Sequence, residues 1–271
     1  MLASVSFDGS HLSVFGSSGA DTITITASNT SVQVNGESIG FARAVKSISV
    51  FGGQGNDTIN LSGVTTSNFF NLESVLIAGG IGNDVISGSN IADKIFGGTG
   101  DDTILAGSGN DTVYAGQDND TVFGENGADR IFGEQGEDTI LAGNGNDIVS
   151  AGRDNDIVLG GTGSELIFGE LGEDTIYGAI GNDIIRGGED SDTIFGGGGQ
   201  DQIFGEGGRN VINGGASDDT VYVASGQDEV DGGGGNDTLD LSTLRIFEGV
   251  GANVDLVQRC RHVNRRRQYQ F

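Results

Sequence analysis

Gly97-Gly98-Thr99-Gly100-Asp101-Asp102-Thr103-Ile104-Leu105 is one copy of a nine-residue phrase that decides the fold. The phrase recurs without interruption from residue 79 to residue 240, eighteen copies in all. Its first copy is Gly79-Gly80-Ile81-Gly82-Asn83-Asp84-Val85-Ile86-Ser87, and its last ends at Asp240. Position six is Asp in sixteen of the eighteen copies, the exceptions being Glu165 and Asn210. Position eight is Ile, Val or Leu in every copy, from Ile86 through Ile104 and Ile140 to Leu239. Positions one, two and four are mostly Gly. A strict short period means a repeat architecture, in which each unit buries its apolar residue only by stacking on its neighbours. Each copy reads as a Gly-rich turn closed by a carboxylate, then a three-residue strand. Side chains alternate along a strand, so position eight points inward and positions seven and nine point outward.

The carboxylates carry the chemistry. Ca²⁺ is a hard cation that takes six to eight oxygens at roughly 2.3–2.6 Å. A Gly-rich turn adopts positive-φ conformations that other residues resist, so it can aim several carbonyl oxygens into one pocket. Stacked turns lie about 4.8 Å apart, so an ion between two turns reaches oxygens of both. On this reading each Asp serves the ion above and the ion below. The bland alternative is that Gly and Asp are here only because both suit turns. Turns alone do not require a carboxylate at one fixed position.

The phrase resembles the G-G-x-G-x-D-x-U-x nonapeptide of the RTX, or hemolysin-type, calcium-binding repeat proteins. The resemblance implies an all-β fold, a right-handed parallel β-roll (a β-solenoid) with two nonads per coil. It also implies Ca²⁺ between successive turns, on the order of a dozen ions for this many copies. The metal ligands expected on this reading are carboxylates and turn carbonyls. The carboxylates are Asp57, Asp84, Asp93, Asp102, Asp111, Asp120, Asp129, Asp138, Asp147, Asp156, Asp174, Asp183, Asp192, Asp201, Asp219, Asp228 and Asp237. The glycines of the same turns are Gly79, Gly82, Gly97, Gly100, Gly109, Gly127, Gly136, Gly145, Gly163, Gly172, Gly181, Gly199 and Gly235. The turns expected to be weakest are 88–93, where Ile91 replaces Gly, and those ending in Glu165 and Asn210. The resemblance further implies a secreted, extracellular bacterial protein exported by a type I secretion system.

Charge supports a metal-dependent fold. The formal net charge is −26, and residues 79–240 hold 32 of the 39 acidic residues but 5 of the 13 basic ones. Such a density opposes a compact state through self-repulsion. The 51 glycines add a large ordering cost. The hypothesis that follows is that Ca²⁺ supplies the folding free energy, as in other small metal-dependent domains. So acidic a chain is a poor partner for nucleic acid. No stretch of about 18 apolar residues could span a membrane. The N-terminus shows no basic region followed by an apolar run, so no cleavable signal is expected.

Outside the array the chain reads in two parts. Residues 1–78 form a strand-rich N-terminal cap, with alternating strands around Val14, Ile23, Val32 and Ile48 and a hairpin turn at Asn35-Gly36. Two isolated nonads, 16–24 and 52–60, place Asp21 and Asp57 at multiples of nine from Asp84. They suggest that the coil starts early with degenerate turns; a separate small β domain is the other reading. Residues 241–271 hold a strand-like segment, Gly251 to Leu256, and a basic tail ending in Arg265-Arg266-Arg267-Gln268-Tyr269-Gln270-Phe271. The tail is expected to be disordered, and it departs from the pattern of the family.

No enzyme is expected. The only histidines, His11 and His262, lie outside the array, and no zinc-protease motif, nucleophile elbow or Walker loop occurs. The other function considered is an extracellular adhesin that uses the outer faces. Position nine supplies apolar stripes there, such as Phe96, Tyr114 and Phe132. Stacking between neighbours along the sheet accounts for the same stripes.

Overall fold

Side chains of a strand alternate faces, and the eighteen-residue repeat of two nonads sets which strands meet. A computed structural model of the chain describes residues 4–27, 31–224, 227–241, and the backbone of 260–261 and 263–266. The chain divides into two compact units, residues 1–144 and 145–271. Within both units parallel strands pair with a register offset of eighteen, as in Thr103↔Thr121 and Ile104↔Val122, or Thr175↔Thr193 and Ile176↔Ile194. Two nonads therefore make one coil of a parallel β-solenoid. No α-helix occurs among the described residues; the only helical piece is the 3₁₀ turn Ala42–Ala44.

In the first unit, one sheet runs Ser4–Phe7, His11–Phe15, Ser47–Gln54, Ser74–Ile81, Asp93–Thr99, Thr112–Gln117 and Arg130–Gln135. The other runs Glu37–Gly40, Val32–Val34, Thr22–Ala27, Thr58–Gly63, Val85–Ser87, Thr103–Ser108, Thr121–Asn126 and Thr139–Asn144. The early multiples of nine are coil lengths: Ile23 pairs with Ile59 and Ile59 with Ile86, offsets of 36 and 27. The extra residues form insertions. One of them carries the expected hairpin, in which Val34 pairs antiparallel with Glu37 around Asn35 and Gly36, both at positive φ.

The second unit has two parallel sheets of the same kind. One holds Ile148–Arg153, Leu166–Leu171, Ile184–Glu189, Gln202–Glu206, Thr220–Tyr222 and Asp237–Asp240. The other holds Ile157–Thr162, Thr175–Ile180, Thr193–Gly198, Val211–Ala216 and Glu229–Asp231. Most of the basic tail, and the whole of Gly251 to Leu256, lie outside the described residues. Two tail pieces that are described differ from the expected disorder: Cys260–Arg261 pairs with Glu229–Asp231, and Val263–Arg266 with Asp237–Asp240, both parallel.

The strands are longer than the nonad suggests. Thr103–Ser108 covers positions seven, eight and nine and the first three of the next phrase. The glycines keep the ladder going, as in Gly98↔Gly116, because backbone groups pair whether or not a side chain is present. Position eight is fully buried in both units, for example at Ile104, Ile131, Ile176 and Ile203. Each such side chain is worth roughly 1.5–3 kcal/mol of burial. Alternation then brings position one inward as well, and Ala106, Ala115, Ala142 and Ala151 are fully buried there. The outer face carries ring stacks, Phe96 on Tyr114 at 5.0 Å and Tyr114 on Phe132 at 4.9 Å. These rings turn their faces to one another along the sheet, which accounts for the apolar stripe.

Candidate metal centre

Each turn is built on left-handed backbone at positions two and four, as at Gly98 (φ 128°) and Gly100 (φ 106°). Asp118, Asp154 and Asp190 hold the same conformation at position four, with φ of 72–75°. Position two carries a less expected occupant. Glu134 and Glu170 sit there at φ 78°, a conformation that costs a residue with a Cβ roughly 1–2 kcal/mol. This backbone aims carbonyl oxygens along the coil axis. A methyl group on Gly98 would collide with the carbonyl oxygen of Gly80, and one on Gly100 would lie 2.7 Å from that of Gly82. From the opposite side, a methyl group on Gly79 would lie 2.6 Å from the carbonyl oxygen of Gly97. The gap between turns 79–84 and 97–102 is thus lined by carbonyls of positions two and four below and position one above. The carbonyl of Thr99 also faces the lower turn, where it accepts the N–H of Gly82 at 2.8 Å.

The position-six carboxylates form an inner ladder. The N–H of Asp84 donates to Oδ1 of Asp102 at 2.7 Å, that of Asp102 to Asp120 at 2.8 Å, and that of Asp120 to Asp138 at 2.8 Å. In the second unit the N–H of Asp156 donates to Asp174, Asp183 to Asp201 and Asp201 to Asp219, all at 2.8–2.9 Å. One carboxylate oxygen is therefore committed to the preceding coil. The other, Oδ2, is buried without a hydrogen-bond partner at Asp57, Asp84, Asp102, Asp111, Asp120, Asp174, Asp183, Asp192, Asp201, Asp219 and Asp237. It lies against position one of its own turn, since a methyl group on Gly97 would lie 2.5 Å from Oδ2 of Asp102. The carboxylate is thus divided between a structural oxygen and an open one.

A buried, unpaired carboxylate is costly, and the usual response is to take up a proton. Burial pushes Asp84, Asp174 and Asp201 up to about 6, Asp102, Asp192 and Asp219 to about 7, and Asp111 and Asp120 to about 8. Like charges in adjacent coils add to the effect. A divalent cation at the open oxygens would reverse it. The donor set is carboxylate and carbonyl oxygen, which suits a hard cation such as Ca²⁺. Among the described residues no cluster of three or more His, Cys, Asp or Glu could hold a metal by side chains alone. A metal held in these gaps would take most of its ligands from backbone carbonyls.

A family model described as the RTX calcium-binding nonapeptide repeat matches residues 49–63 and, in overlapping segments, 76–239, roughly two thirds of the chain. The chain belongs to this family. No curated protein sequence matches it. Among solved structures it is similar to a hyperactive, Ca²⁺-dependent, β-helical antifreeze protein from an Antarctic bacterium, at 22% identity and a TM-score of 0.38, covering 93% of this chain and 96% of that one.

Within this RTX array the expected residues fall into one arrangement. Every Asp expected as a ligand, from Asp57 to Asp237, is buried. The expected glycines lie at position one (Gly79, Gly97) or at position four with positive φ, from Gly82 to Gly235. Three turns differ. The carboxylate of Asp93 already accepts the N–H and the hydroxyl of Ser89, at 2.5 and 2.7 Å. Glu165 buries two oxygens, both without partners. Burial and the neighbouring Asp183 push it up to about 9. Asn210 donates its amide to two carbonyls of its own turn.

The sequence reading missed a second, outer ladder at position five. The N–H of Asn119 donates to Asp101 Oδ1, Glu137 to Asn119, Ser164 to Asn146, Glu173 to Asn155 and Gln200 to Asn182, at 2.8–3.1 Å. Its signal was present in the recurrence of Asn at position five, as at Asn83, Asn110, Asn119, Asn146, Asn155 and Asn182.

Proposed function

We propose that the chain is a secreted calcium-binding β-roll that takes its ordered form on binding Ca²⁺ and acts as a structural, secretion-linked module. The observation that carries this is the column of buried carboxylate oxygens with no protein partner, each beside a cradle of turn carbonyls. In this reading the open Oδ2 of position-six carboxylates such as Asp102 and Asp120 supplies the negative ligand. The carbonyls of positions one and three of the same turn, and of positions two and four of the preceding one, complete the oxygen set. Bound calcium supplies the counter-charge that the polyanion lacks. The side-chain ladders do a separate job: they satisfy turn N–H groups and hold the coils at the spacing the ion needs.

The proposed division of the chain is a cap at 1–78, the calcium-binding roll at 79–240 and a C-terminal segment at 241–271. Secretion, and export by a type I system, rest on membership of the RTX family. Among the described residues no helix is long and apolar enough to cross a membrane.

The test is a calorimetric Ca²⁺ titration of the metal-free protein. Saturable binding of on the order of a dozen ions, with a large folding heat, is expected. Absence of saturable binding at millimolar Ca²⁺ would overturn the reading.

A further inference from the structure

Asn210 closes the turn 205–210 at the position that carries Asp in sixteen of the eighteen copies. It is fully buried. Its backbone and Oδ1 keep the ladder intact: its N–H donates to Asp228 Oδ1 at 3.0 Å, and its Oδ1 accepts the N–H of Asp192 at 2.8 Å. The difference lies in the remaining atom. Where Asp192 and Asp201 have an open oxygen, Asn210 has Nδ2, which donates to the carbonyl of Gly205 at 2.8 Å and to that of Gly207 at 2.7 Å. The orientation of the amide is fixed by these partners. Flipping it would set an oxygen against two carbonyl oxygens and an NH₂ against the N–H of Asp192.

The two carbonyls are those of positions one and three of the turn; that of Gly205 faces the turn 187–192, since a methyl group on Gly187 would lie 2.9 Å from its oxygen. The amide turns a partial positive charge on them, as a cation would. It fills the same place and brings no negative charge to attract an ion. We propose that the turn 205–210 is a rung that closes without calcium, the side-chain amide of Asn210 standing in for the ion. This rests on the calcium reading above, which identifies the neighbouring gaps as ion sites.

A single amide is therefore the difference between an ion-holding gap and an ion-free one, in either direction. Asn210→Asp restores the open oxygen and the charge, and adds one bound Ca²⁺ per chain. Asp192→Asn places the same amide opposite the carbonyls of Gly187 and Glu189, and removes one. The measurement is native mass spectrometry of the full chain, wild type and both variants, in saturating Ca²⁺, with circular dichroism to confirm that each is ordered. Counts one above and one below the wild type support the proposal. An unchanged count in an ordered Asn210→Asp overturns it. If that variant does not order, Asp192→Asn decides alone, and a wild-type count there overturns it. A wild-type protein that carries no calcium at all overturns the reading of the whole array, and this inference with it.

Discussion

At the scale of the residue, the nonad separates glycines that look alike. Gly198 and Gly199 are adjacent in one turn. A methyl group on Gly198 would have nothing nearer than the Ala179 carbonyl at 3.8 Å, whereas one on Gly199 (φ 129°) would overlap the carbonyl oxygen of Gly181. Gly198→Ala should leave the calcium-loaded protein within about 1 kcal/mol of wild type. Gly199→Ala should cost several-fold more, because backbone rather than a flexible side chain has to move. Urea unfolding in saturating Ca²⁺ measures both, and equal midpoints would contradict the assignment of position four as a carbonyl cradle. The period alone marked position six as a fixed carboxylate, which the fold buries, and position eight as the core. The split of each carboxylate into one bonded and one open oxygen was not legible, because it depends on which backbone N–H the next coil presents. Nor was the left-handed backbone at position two legible in copies that carry Glu134 or Glu170 there, since Glu gives no sign of positive φ.

At the scale of the element, the sequence marked where strands begin but not where they end. The apolar centre at position eight, as in Ile104, identified the strand, and the glycines after it read as turn. The strand Thr103–Ser108 runs on past it, since the next coil continues the ladder at Gly107↔Glu125 and Ser108↔Asn126. The hairpin at Asn35-Gly36 was readable because its turn chemistry is local. The aromatic stripes illustrate the same limit. Their spacing showed that rings would meet, but only the register sets Phe204 on Tyr222 at 4.3 Å, with the Arg186 guanidinium 4.4 Å from the Phe204 ring and also paired with Glu206 at 2.6 Å.

At the scale of the molecule, charge governs. In the metal-free ordered form Asp102, Asp111 and Asp120 hold protons up to pH values of about 7 to 8, whereas an unfolded chain releases them near about 4. Between those limits the ordered form binds more protons than the unfolded one, so its metal-free stability falls as pH rises and recovers as pH falls. Calcium needs the ionised carboxylates, so its affinity runs the opposite way. In chelator, lowering the pH from about 8 to about 5 should increase the strand signal; in Ca²⁺, the same change should raise the concentration at half-saturation. Circular dichroism across that range reads both, and a metal-free strand signal that grows with pH would contradict the assignment.

The central claim, that divalent cations hold the coils of this polyanion together, is tested most directly at neutral pH by circular dichroism of the full chain. It is recorded after exhaustive chelation and again in millimolar Ca²⁺. The account predicts a largely unordered spectrum in chelator and a parallel-strand spectrum that returns with calcium. Equal strand content in the two conditions would contradict it.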